Sequence, residues 1–143
     1  MRKAIQKDIN DKKIQDAEDE FKIKIESTWH IALAKLPIVY GFDFAGTRTE
    51  VEAWLELKNR NFEIGKYGDT MINLSKWMKA KELRDTTKLP TFLCVRFKDM
   101  DVYTQLTDYT PMEIKWGGRT RLTRDWQDIG PAVHIPIEEF TKF

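Results

Sequence analysis

The spacing of apolar positions divides the chain into a helical first quarter and a strand-rich remainder. Ile5, Ile9, Ile14, Ala17, Phe21 and Ile25 recur mostly every three to five residues among Lys, Asp, Glu and Gln, which predicts a helix over 3–28. Its first dozen residues are expected to fray as a helical extension. Leu36-Pro37 and Gly41 interrupt the next segment. Residues 38–45 and 51–60 read as two strands of a hairpin, joined by the polar turn Gly46-Thr47-Arg48-Thr49-Glu50. In the second, Val51, Ala53, Leu55 and Leu57 alternate with Glu52, Trp54, Glu56 and Lys58, so the two sets occupy opposite faces. Residues 61–70 are polar, hold two glycines and read as a loop. Met71 to Arg84 reads as a helix, with Asp69 or Thr70 as its cap. Pro90 opens a strand over Thr91–Phe97, 98–101 is a turn, and Val102–Leu106 is the returning strand. Pro111–Trp116 reads as one more strand, ended by Gly117-Gly118, and 119–143 reads as irregular, with two prolines. Helix, hairpin, helix, hairpin is an α/β (α+β) order: a central mixed sheet flanked by helices.

Composition narrows this picture. A length of 143 residues with 41% hydrophobic and 12% aromatic content predicts a single domain, 1–143, with its own core. The net charge of +1 gives no global attraction to nucleic acid, so a polyanion needs a local basic patch or a metal. Cys94 stands alone within Thr91-Phe92-Leu93-Cys94-Val95 and reads as a buried structural thiol, which excludes a disulfide framework. No stretch is apolar enough to span a membrane, and Met1-Arg2-Lys3-Ala4 leads into no apolar signal region. The expected location is the cytoplasm.

Candidate chemistry centres on Asp43 and on Glu56-Leu57-Lys58. Two positions apart on a strand, Glu56 and Lys58 point the same way. The hairpin can bring Asp43, near the end of the neighbouring strand, beside Glu56. Two carboxylates converging with an amine suit a hard cation such as Mg²⁺, which takes oxygen ligands and lowers the pKa of a bound water. Lys58 then orients that water or stabilises transition-state charge. Glu-x-Lys alone is a very weak signal in so charged a chain, where by spacing alone it reads as a solvated strand face. His30 and His134 lack ligand-like spacing, so zinc is not expected.

The order helix-Glu, strand-Asp, strand-Glu-x-Lys, helix, strand resembles the PD-(D/E)XK nuclease superfamily. The segments Ala53–Arg60, Ile72–Trp77, Leu89–Phe97 and Trp116–Arg119 resemble small phage nuclease-like proteins of that superfamily. The similarity runs from about residue 16 to the last residue. One departure is Gly41-Phe42 in place of a Pro before Asp43, a Pro that many members also lack. The resemblance implies a restriction-endonuclease-like core and a Mg²⁺- or Mn²⁺-dependent hydrolase of DNA phosphodiesters. Asp43, Glu56 and the Leu57 carbonyl would then hold the metal, and Lys58 would be the catalytic lysine. It also implies a supporting acid on the first helix, either Glu18 or Glu20. Glu18 is preferred, because it lies three residues before Phe21 and beside the apolar stripe.

Lys76 shares a helical stripe with Ile72, Ala80 and Leu83, so it either snorkels or points into the site as a phosphate contact. Lys115-Trp116-Gly117-Gly118-Arg119-Thr120-Arg121, with Arg124 and Trp126, reads either as a phosphate- and base-contacting surface or as a glycine turn with a basic rim. Trp116, Arg119 and Arg121, together with Arg60 and Lys79, are the candidate DNA contacts. The implied task is phage DNA processing, directed by structure or ends, since little of the chain is left over for reading sequence. Superfamily habits allow a homodimer. The rival reading is a non-catalytic DNA-binding or assembly protein on the same fold.

Overall fold

The computed structural model describes residues 2–117 and 130–143. It has two helices, α1 (Arg2–Trp29) and α2 (Leu74–Thr87). Its strands are β1 (Ala32–Lys35), β2 (Phe44–Thr47), β3 (Val51–Asn59), β4 (Asp69–Asn73), β5 (Thr91–Arg96), β6 (Asp101–Leu106), β7 (Glu113–Gly117), β8 (Gly130–Pro136) and β9 (Thr141–Lys142). Six of them form a mixed sheet in the order β1-β2-β3-β5-β6-β9. Only β3 and β5 run parallel in it. A parallel pair needs a long crossover, and β4 with α2 supplies it. A second, antiparallel sheet has the order β4-β8-β7.

The period-two pattern of β3 divides the core. Ala53, Leu55 and Leu57 join Phe44, Leu33 and Cys94 beneath Phe21 and Ile25 of α1. Trp29, Tyr103 and Phe143 close this side with ring centroids 4.9–5.1 Å apart. The opposite face of the sheet carries Leu93 and Val95, which pack with Ala80 of α2, Ile72 of β4 and Val133 and Ile135 of β8. The far half of α2 is pinned by polar contacts: Trp54 Nε1 donates to Thr87 Oγ1 (2.9 Å) and Arg84 Nη1 to Thr91 Oγ1 (3.2 Å). Cys94 is fully buried, which pushes its thiol pKa up and fits a structural role.

The expected mixed sheet with flanking helices is present, but four local readings are corrected. Residues 38–40 form a 3-10 turn, because Pro37 and a left-handed Gly41 (φ 67°) bracket them and no strand pairs with them. The unforeseen β1 takes the place beside β2. Met71–Asn73, read as helix, belongs to β4, where pairing with β8 outweighs a helical spacing that persists backwards from Leu74. The cap is therefore Asn73 rather than Asp69 or Thr70. Within the stretch read as irregular, 130–136 is a strand, with Pro131 and Pro136 confined to its ends.

Leu55 is fully buried, whereas Val51 at the outer end of the same strand is 37% exposed. Leu55→Ala is expected to cost about 3 kcal/mol in urea unfolding, and Val51→Ala less than about 1 kcal/mol.

Candidate active site

The β2–β3 hairpin sets the site. Phe44 lies opposite Leu55, so one step further places Asp43 opposite Glu56. Phe44 and Leu55 enter the core under α1. Alternation therefore turns Asp43 and Glu56 to the other face, toward α2. Asp43 is fixed twice: its Oδ2 accepts the Leu57 N–H (2.9 Å), and its backbone carbonyl accepts the Leu36 N–H (2.8 Å).

Glu56 is 1% exposed. Its Oε1 lies 3.2 Å from Lys76 Nζ, while Oε2 is buried without a hydrogen-bond partner among the described residues. Burial first, then the charge of Asp43 and the hydrogen bond that a protonated Glu56 makes with the Asp43 carboxylate, push its pKa up to about 7, against the pull of Lys58 and Lys76. Lys58 is half-buried on the same face of β3, and its side chain has no hydrogen bond or ion pair among the described residues. Lys76 lies one turn before the buried Ala80 and also donates to the Gly41 carbonyl at 2.9 Å. Its ammonium is thus turned inward, though Ile72, assigned to the same stripe, sits on β4 instead.

One residue escaped the sequence reading. Lys35 Nζ lies 3.1 Å from Glu18 Oε1, 3.7 Å from Asp43 Oδ1 and 4.9 Å from the centre of the Phe44 ring. Burial lowers its pKa, but the two acids outweigh this and hold it above the usual lysine value. The signal was Leu33 and Lys35 two positions apart on a short strand, masked by Pro37 just beyond. Lys35 also separates the two helix acids: Glu18 reaches it, whereas Glu20 turns to Arg96 (3.4 Å).

The candidate DNA contacts are dispersed. Arg60 Nη2 donates to the Met71 carbonyl (2.6 Å) and lines a cavity of about 240 Å³ with Phe62 and Tyr67. Lys79 pairs with Glu82 at 2.8 Å, and Trp116 stands 73% exposed on β7. Arg119 and Arg121 lie outside the described residues, as do Arg124 and Trp126.

Among the described residues, no three His, Cys, Asp or Glu side chains converge as a metal cluster. Glu18 is therefore separated from the carboxylate pair by Lys35. The pair itself still suits a hard cation. Its side-chain donors are all oxygen, one buried carboxylate oxygen is unpartnered, and a cation there would relieve the repulsion that raises Glu56.

Because the folded protein holds a proton on Glu56 from pH 4.5 to about 7 that the unfolded chain has released, stability falls as pH rises through that window. Glu56→Gln removes this dependence. In chelator, its unfolding free energy should gain on that of the wild type between pH 5 and pH 8, by up to about 3 kcal/mol. Parallel urea titrations at the two pH values measure the gain, and a constant difference would refute it.

No curated protein matches the chain significantly. One family matches residues 8–143, under the description "Phage putative PDDEXK endonuclease". The match spans the carboxylate hairpin, both helices and both sheets, and the chain belongs to this family.

Proposed function

We propose that the protein is a divalent-metal-dependent deoxyribonuclease that hydrolyses phosphodiesters with Asp43, Glu56 and Lys58 at its centre. The observation that carries this reading is the buried Glu56 beside Asp43, with one carboxylate oxygen unpartnered. Family membership supports a DNA substrate.

Asp43 and Glu56 would hold the cation, with the Leu57 carbonyl as a further ligand, and Mg²⁺ or Mn²⁺ would fit such an oxygen set. When bound, the ion supplies positive charge to the phosphate and acidifies a water. The Leu57 N–H keeps the Asp43 carboxylate turned toward Glu56. Lys76 orients the Glu56 carboxylate through Oε1 and brings a positive charge toward the phosphate. Lys58 shares a face with Glu56 and has no competing partner among the described residues, so its ammonium can orient the attacking water or stabilise developing negative charge. Glu18 acts at one remove, by holding Lys35 against Asp43. Structure- or end-directed cleavage during phage DNA processing is the reading that fits best. The described residues build the sheet core and one small second sheet, with no separate element for reading sequence.

Plasmid nicking in Mg²⁺ or Mn²⁺ is the direct test. Asp43→Asn, Glu56→Gln and Lys58→Ala should each slow it by about a hundredfold to a thousandfold. Unimpaired cleavage by all three would exclude this site. Nicking absent from the wild type would instead favour a non-catalytic DNA-binding protein.

Ion binding itself should depend on pH. Glu56 must lose its proton to become a ligand, so Mn²⁺ affinity by calorimetry should fall about tenfold per pH unit below its pKa of about 7. Binding that is independent of pH, or retained in Asp43→Ala and Glu56→Ala, would place the ion elsewhere.

A further inference from the structure

The 3-10 turn ahead of Asp43 exposes apolar side chains that folding does not use. Ile38 is 97% exposed, Val39 83% and Tyr40 48%. Single exposed apolar residues such as Ile23 and Met78 are ordinary on a protein surface. Three in a row, two of them aliphatic and almost wholly in water, are not. The turn is also held in shape. The Tyr40 N–H donates to the Pro37 carbonyl (3.0 Å) and the Gly41 N–H to the Ile38 carbonyl (2.9 Å), while Lys76 binds the Gly41 carbonyl (2.9 Å). Its flanks are anchored, since Leu36 packs against the core and Phe42 is buried within it. It is a fixed projection, not a loose loop.

Its position suggests the occupant. Ile38 is five residues before Asp43, so its Cα lies within about 17 Å of that of Asp43 even for an extended chain. At about 3.4 Å per base step, this is no more than roughly five steps along a DNA strand. The Lys79 stem lies 3.2 Å from where a Cβ on Gly41 would stand, and Lys76 binds the Gly41 carbonyl, so two lysines, ion-paired with Glu82 and Glu56, border the turn. Ile and Val are stiff at χ1 and lose little freedom when inserted.

We propose that Ile38 and Val39 form an apolar wedge that enters the DNA duplex and unstacks base steps beside the scissile phosphate. Aliphatic side chains of this kind can part adjacent base pairs in other DNA-binding proteins. The wedge rests on the nuclease reading and deepens it. It makes duplex deformability, rather than base identity, the feature the enzyme selects.

The test pairs Ile38→Ser/Val39→Ser with two readouts. In single-turnover cleavage, the double variant should lose about tenfold or more in its duplex-to-single-strand rate ratio. A duplex carrying a pre-formed mismatch bubble should restore it. In the slow-cleaving Glu56→Gln background, bound duplex containing 2-aminopurine should brighten before it is cut, and the double variant should abolish that rise. An unchanged rate ratio together with an unchanged 2-aminopurine signal overturns the wedge. Conversion of a wild-type dimer to a monomer by the double variant in sedimentation, with 2-aminopurine unaffected, also overturns it and assigns the tip to a second copy of this chain. If the wild type cleaves no DNA, the nuclease reading fails, and the 2-aminopurine measurement alone decides the wedge.

Discussion

Glu56 is an acid held almost entirely out of water, next to another acid. An isolated buried carboxylate is expensive, and a like charge beside it makes ionisation harder still. The surroundings only partly offset this: Lys76 meets one oxygen, Lys58 acts from two residues on, and the second oxygen has no hydrogen-bond partner among the described residues. The rest of the fold serves this arrangement. The β2–β3 register sets the two acids opposite one another, the parallel β3–β5 pairing backs Glu56 with Leu93, and α2 crosses above it. A site that accommodates a proton, or a cation, in place of a free charge is what such a constraint leaves.

The acids are also bound into the scaffold through groups that carry no charge. The Leu57 N–H holds the Asp43 carboxylate and the Gly41 carbonyl holds Lys76, so the Asp43 side chain is tied to β3 and the backbone two residues before it to α2. The turn at 38–40 inherits its rigidity from the same contacts. Lys76 thus contacts both the site, at Glu56, and the end of the turn, at Gly41.

Lys35 shows how a third acid can be kept near without joining the pair. Its ammonium lies between Glu18 and Asp43 and balances charge that would otherwise repel. This explains why α1 contributes an acid to the neighbourhood while, among the described residues, no third acidic side chain joins Asp43 and Glu56.

Much of this was legible in the sequence, because some segments carry strong local patterns. The strict alternation of 51–58 located β3 and put Glu56 and Lys58 on one face. The stripe ending in Phe21 and Ile25 located α1 and its buried face. The apolar run from Thr91 located β5. Tertiary structure decided what such patterns do not encode. Strand β1 has four residues ahead of a proline, β8 begins and ends near prolines, and Met71–Asn73 continues a helical spacing. All three are strands because a partner offers a ladder of hydrogen bonds: β2 for β1 across the turn at Pro37–Gly41, and for β4 and β8 each other, far apart along the chain. The position of Lys35, the inward turn of Lys76 and the lone oxygen of Glu56 follow from those pairings. They depend on which side chains fill the same space, whereas local periodicity reports only which of them share a face.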